Sequence, residues 1–233
     1  MCERFALDYP AEILKHWYTV DSFPDLLPCY NIAPMTDILV IRETETGREG
    51  SIMRWGLITG WVRDLKQAPV ISNTRAETIS NSPMTVSHKP MFRSAYRRRR
   101  CIIPASGFYE WQLSEDGRHK QPCYISTTDG CPISFAGIWE TATLNEVTLE
   151  SCAIITTESN GLIRPIRDRM PAILPSESID TWLNPAELPD EILNFFLKPY
   201  DPELMQAWPV STAVNKPSNQ GKQLIEPIPS AES

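Results

Sequence analysis

Histidine is scarce in this chain. His16, His88 and His119 are the only three in 233 residues, and each stands in a polar stretch. A metal centre or a Ser/His triad is therefore left without its usual ligands or base. Six cysteines are present, Cys2, Cys29, Cys101, Cys123, Cys131 and Cys152, but none forms the close pairs that zinc sites use. No charged segment followed by an apolar one marks the chain for export, so a disulfide framework is not expected, most thiols read as small core residues, and the protein is expected in the cytoplasm. No apolar run approaches the roughly 18 residues of a membrane span. There is no glycine-rich phosphate loop and no internal repeat, and neither metal nor cofactor is called for. Positive charge is also in deficit: the net charge of −7, taken alone, argues against non-specific binding to a polyanion.

Apolar residues make up 42% of the chain, enough for one substantial core. Prolines punctuate short apolar runs at 38–41, 101–103, 123–125, 133–138, 152–155 and 172–174, each bounded by Pro, Gly, Asp or Ser, and these read as strands. Helical periodicity is weaker and predicts short helices over 11–17, 91–99, 178–183 and 189–196. The fold class is α+β, dominated by strands and lacking the regular alternation of a parallel doubly wound sheet. One domain is expected over residues 1–227, followed by a frayed polar tail at 228–233.

The chemistry starts at the second residue. Removal of Met1 gives Cys2 a free α-amine and a thiol on adjacent carbons, and such a 1,2-aminothiol condenses with an aldehyde, first to a Schiff base and then to a thiazolidine. The amine's ordinary pKa of about 7.7 to 8.0 leaves a reactive neutral fraction near pH 7, and cysteine is a strong nucleophile. Glu110 sits between aromatics in Gly107-Phe108-Tyr109-Glu110-Trp111. In a buried strand its carboxyl pKa rises toward the range useful for acid/base catalysis; on the solvent face of an alternating strand it would be ordinary. Asn73 and Arg75 alternate with Thr74 and Ala76 and can point the same way from an extended segment. The basic block of Arg93 and Arg97 to Arg100, interleaved with Phe92 and Tyr96, reads either as a solvated face or as phosphate ligands beside stacking rings. Tryptophans beside glycines at Trp55-Gly56 and Gly60-Trp61 read equally as core plugs or stacking platforms.

Several motifs, in order over residues 2 to 227, resemble the SRAP family of SOS-response-associated peptidase-like proteins. They are Met-Cys-x-Arg-Phe at the start, Tyr30 to Pro34, Arg54 to Leu57, Asn73-x-Arg-x-Glu77, Arg98 to Cys101 with Pro104 to Trp111, Asp168 to Pro171, and Val214-Asn215. The resemblance implies a single domain with a barrel-like, mostly antiparallel β core and short peripheral helices. It implies a groove for single-stranded DNA and a covalent cross-link at abasic sites, made by a protein expected as a monomer. By that resemblance Cys2 attacks the ring-opened sugar, Asn73 orients the reacting group, and Glu110 shuttles protons. Arg4, Arg75 and Arg169 hold phosphates, while Trp61 and Trp111 pack near the bases or the pocket wall.

Two departures stand out. Family members usually carry histidine where this chain has Arg167, and that histidine is assigned to ring opening and cross-link reversal. Arginine does not exchange protons near neutrality, so Arg167 is expected to hold phosphate or stabilise negative charge, with a slower or poorly reversed cross-link. Glu3 replaces the usual glycine and places a negative charge beside the amine. Three other functions compete: an N-terminal-nucleophile cysteine hydrolase, whose companion glycine-rich and Gly-His segments are missing; a peptidase that removes its own Met1; and a single-stranded DNA binding module without catalysis.

Overall fold

A computed structural model describes residues 2–20, 22–60, 62, 69–79, 90–114, 116–144 and 146–228. In chain order the first strands are β1 (Phe5–Leu7), β2 (Cys29–Ile32), β3 (Asp37–Thr44), β4 (Gly47–Trp55), β5 (Asn73–Arg75) and β6 (Arg100–Ala105). They are followed by β7 (Gly107–Leu113), β8 (Lys120–Thr127), β9 (Ile133–Leu144), β10 (Val147–Glu158), β11 (Arg169–Pro171) and β12 (Met205–Pro209). The helices are short: α1 (Ala11–Tyr18), α2 (Ala76–Ile79), α3 (Pro90–Arg98), α4 (Ile179–Leu183) and α5 (Asp190–Phe196).

Five strands close on themselves. β3 pairs with β4 and β6, β6 with β9, and β9 with β10, all antiparallel; β10 then meets β4 in parallel through Ser151 opposite Arg54 and Cys152 opposite Trp55. Closure removes the free edges that would otherwise template aggregation. A second, antiparallel sheet runs β12-β8-β7-β1-β2. Aromatic contacts join the two: Phe5 of β1 meets Trp55 edge-on at 5.1 Å and Phe135 at 5.9 Å, and Phe108 of β7 meets Phe135 at 5.8 Å. All four rings are wholly buried, so Trp55 is a core plug and not a platform. Truncating one such ring costs about 3 to 5 kcal/mol, and this packing holds the chain three residues from Cys2.

Most of the periodicity reading holds, and one expectation does not. Residues 172–174 form no strand; the strand is β11, immediately before them. Their hydrogen bonds are split between partners, with Ala172 N–H donating to Ile155 O and Leu174 N–H to Ser134 O, while Ile173 makes an isolated bridge to Phe135. Of the expected tail at 228–233, Ile228 N–H donates to Pro209 O at 3.0 Å, and residues 229–233 lie outside the described residues. No described helix is long and apolar enough to cross a membrane.

Candidate active site

β1 brings the amino-terminal end of the chain against β7. Phe5 pairs with Phe108, and Tyr109 N–H donates to Arg4 O at 2.9 Å, so Cys2 comes to the part of β7 that carries Glu110. The period of two along β7 puts Phe108 and Glu110 on one face and Tyr109 and Trp111 on the other. Both faces are covered at Glu110, which is 1% exposed. On its other side β7 packs closely against β8 at Gly107, where a Cβ would strike the Tyr124 ring and lie 2.6 Å from the backbone carbonyl of Ile125.

Burial pushes the Glu110 carboxyl up from 4.5 to about 7, opposed by the positive charge at the amino terminus and by Arg167, with Glu3 and Asp168 adding to the rise. Arg167 Nε lies 3.4 Å from Glu110 Oε2, its own side chain 40% exposed. Burial likewise raises the Cys2 thiol far above its ordinary value, reinforced by the charge of Glu110. The thiol therefore stays protonated, donating weakly to Arg4 O at 3.9 Å.

Asn73 approaches from β5, which runs parallel to β10 with Asn73 opposite Ile154. Its Nδ2 donates to Cys2 O at 2.8 Å and to Ser72 Oγ at 3.2 Å. A carbonyl cannot donate, so the bond to Cys2 fixes which end of the amide is nitrogen. Asn73 Oδ1 is then a buried acceptor without a hydrogen-bond partner among the described residues. Leaving such an atom unmet costs about 1 to 3 kcal/mol, so it is able to accept from an incoming donor.

Of the expected phosphate ligands, Arg75 shares the face of Asn73 and is exposed, while Thr74 between them is buried. Arg4 is half-buried; its Nη1 donates to Asn31 Oδ1 at 2.8 Å and Val214 O at 2.9 Å, its Nε donates to Glu3 O, and Nη2 makes no hydrogen bond among the described residues. Arg169 differs. Its guanidinium forks onto Glu77 at 3.1 and 3.0 Å and donates to Thr156 O at 2.6 Å, so its donors are already engaged. Trp111 is half-buried with Nε1 donating to Asn215 Oδ1 at 2.7 Å, and the Arg4 guanidinium lies 6.0 Å from its ring centre. Trp61 lies outside the described residues. Sequence reasoning gave no roles to Glu77 or Asn31, which stand in the quoted motifs; a buried asparagine in a strand is the signal that could have found the second.

The basic block does not join the site. Arg97 and Arg98 face Glu187, Arg99 pairs with Glu140 at 2.7 Å, and Arg100, 3% exposed, donates to Trp182 O and Ala186 O and also to the carbonyls of Tyr96, Arg97 and Asn184. Phe92 and Tyr96 are buried, so they are core residues and not stacking platforms.

Fold and site together define a class: a closed five-strand barrel with an attached sheet, whose amino terminus sets a cysteine beside a buried acid and an asparagine amide. The chain belongs to the SRAP family, described as SOS response associated peptidase, whose sequence model matches residues 1–217. It is 38% identical over 230 residues to the abasic site processing protein YoqW of Bacillus subtilis, covering 97% of this chain and 99% of the relative. It is 30% identical to the abasic site processing protein YedK of Escherichia coli, covering 98% and 100%. A crystal structure of a protein from Bacteroides thetaiotaomicron superposes with a TM-score of 0.81 at 27% identity, covering 97% of this chain and 100% of that one.

Proposed function

We propose that this protein processes abasic sites: it binds single-stranded DNA and captures the ring-opened sugar on Cys2 as a thiazolidine once Met1 has been removed. The observation that carries the reading is the pairing, around one cysteine, of a buried amide with an unmet acceptor and a buried carboxyl that titrates near neutrality. The relatives named for abasic-site processing support the same reading.

The α-amine of Cys2 adds to the sugar's C1′ aldehyde and forms a carbinolamine. Glu110, in its acid form, gives its proton to the departing hydroxyl, which leaves as water, and an iminium results. Asn73 Oδ1 accepts a hydrogen bond from the amine or the carbinolamine hydroxyl and holds it in line. The Cys2 thiol then adds to the imine carbon and its proton returns to Glu110, closing the five-membered ring. Aldehyde and aminothiol give thiazolidine and water, with Glu110 regenerated. A carboxyl poised near 7 supplies both forms that the two half-steps need.

Arg75 and Nη2 of Arg4, which has no hydrogen bond among the described residues, are the phosphate contacts in this reading. Arg169 acts instead through its fork onto Glu77, fixing β11 to α2. Arg167 replaces a proton-exchanging residue with a fixed cation that favours the carboxylate of Glu110, so the dehydration step and its reversal are slow. The peptidase activity in the family description takes its simplest form here as removal of Met1. The test is a denaturing gel of mature protein with a single-stranded oligonucleotide bearing one abasic site. A heat-stable shifted band, absent for Cys2→Ala and for Met1-retaining protein, is expected. Intact DNA binding with no such band would overturn the cross-linking assignment and leave a binding module.

A further inference from the structure

Asn31 and Asn215 lie outside the chemistry above, yet both touch residues that flank it. Asn31, at the inner end of β2, is 2% exposed, and every polar function of its side chain is used. Its Oδ1 accepts from Arg4 Nη1 at 2.8 Å, while its Nδ2 meets Val214 O at 3.2 Å, Lys216 O at 3.0 Å and Asn219 O at 3.0 Å. Residues 212–220 are therefore tied to β2 through one planar amide. The same stretch reaches back to the site twice. Val214 O takes a second bond from Arg4 Nη1 at 2.9 Å, and Asn215 Oδ1 takes the indole N–H of Trp111 at 2.7 Å. Val214 is wholly buried, and Gln220 Nε2 donates to Asn31 O at 3.2 Å, closing the loop on the strand that anchors it.

We propose that residues 212–220 form a strap, with Asn31 and Asn215 as positioning residues, that aims Arg4 and Trp111 at the DNA held over Cys2. The inference rests on the DNA-binding reading above. Arg4 has three nitrogens to place. The strap and Asn31 occupy Nη1 and the chain's own Glu3 O takes Nε, so Nη2 is the donor left for a phosphate. An arginine loses rotamer freedom when it binds, and a side chain already locked in one rotamer loses less. Trp111 is fixed in the same way: its N–H is satisfied, so its ring presents a face and not a wet edge to a base. Asparagine suits position 31 because one end of the group must accept from a cation while the other donates to three carbonyls. Aspartate would turn an anion toward those carbonyls, and a hydrophobic residue would strand them.

The test is the salt dependence of binding to an unmodified oligothymidylate, measured for wild type, Arg4→Ala, Asn31→Ala and the Arg4→Ala/Asn31→Ala double variant. Removing one phosphate contact lowers the slope of log affinity against log salt by about one. Asn31→Ala is expected to lose that same unit and roughly three- to tenfold in affinity at fixed salt, and to add nothing on the Arg4→Ala background. A merely structural role would add to Arg4→Ala and leave the slope alone. Asn215→Ala, at an exposed position, serves if Asn31→Ala does not fold. It is expected to weaken binding several-fold with the slope unchanged, and wild-type affinity there overturns the strap. Wild-type slope in a folded Asn31→Ala, with the unit lost in Arg4→Ala, overturns the proposal alone. Failure of the wild type to bind the oligonucleotide overturns the function reading itself.

Discussion

At the end of α3 four arginines follow one another, and each is spent on the protein itself. Around Cys2 three arginines arrive from three separate segments, at positions 4, 75 and 167: Arg4 has an Nη2 with no hydrogen bond among the described residues, Arg75 is exposed, and Arg167 is 40% exposed beside the buried Glu110 carboxyl. The contrast lies in what surrounds the cation. Arg100 is 3% exposed amid backbone carbonyls of α3, α4 and the loop after α4, where a guanidinium can satisfy several acceptors at once. Arg4 keeps one nitrogen without a partner among the described residues and Arg75 is exposed, so a phosphate there would add to their hydrogen bonding instead of competing for it. On the proposed reading, density of charge along the chain is a poorer guide to a polyanion site than donors left without partners.

The comparison is broken most decisively at Glu110. Glu110→Gln keeps the shape but loses the proton shuttle, so cross-linking should slow by on the order of a hundredfold or more in single-turnover assays, with DNA affinity retained. The same variant carries a stability signature. The folded protein holds the Glu110 proton more tightly than the unfolded chain does, so the contribution of this group is full below about 4.5 and is lost as pH rises through about 7. The gap corresponds to on the order of 3 kcal/mol. Urea titrations at pH 5 and pH 8 should show wild type losing stability across that interval more steeply than Glu110→Gln; equal slopes would place the titration elsewhere.

Arg100→Met tests the other side of the comparison. It removes a buried cation and leaves several carbonyls without donors, so a destabilisation of about 3 kcal/mol is expected in denaturant unfolding, with abasic-site cross-linking by the folded fraction unchanged. A variant that folded as well as wild type but lost DNA affinity would mean that the block at α3 reaches DNA after all.

Arg167→Met sharpens the contrast inside the site. The Arg167 cation lowers the pKa of Glu110, so its removal should raise that pKa and carry the alkaline limb of the cross-linking rate to higher pH. The shift is upward because the dehydration step needs the acid form. A limb that stays in place, or moves down, would separate Glu110 from Arg167 functionally.

How much of this was visible in the sequence depends on the range of the interaction. Short apolar runs between prolines give β3, β6, β8, β9 and β10, because period and punctuation are local. Barrel closure is not local: the parallel contact of β4 with β10 joins residues about a hundred apart in the chain, and nothing in either segment announces it. Glu110 was ambiguous for a related reason. Alternation says which residues share its face, but whether that face is covered depends on β1 arriving from the amino terminus. The four arginines read either as a solvated face or as phosphate ligands, and the sequence left both open because Glu140 and Glu187 sit far along the chain from the cations they pair with.

The smallest expected effects set the scale for the rest. Arg75 is exposed and makes no ion pair among the described residues, so on Arg75→Ala unfolding should shift by less than about 0.5 kcal/mol, while the salt slope of single-strand binding falls by about one. Arg98→Ala is its counterpart at α3. The Arg98–Glu187 pair, at 2.6 Å, is 65% and 48% exposed, and such pairs contribute about 0 to 1 kcal/mol, so both stability and salt slope should stay close to wild type. The two substitutions remove the same charge from the same kind of exposed position. If they lower the salt slope equally, DNA responds only to net charge and the distinction between spent and unspent arginines fails; if only Arg75→Ala does, the phosphate sits where the donors are unmet.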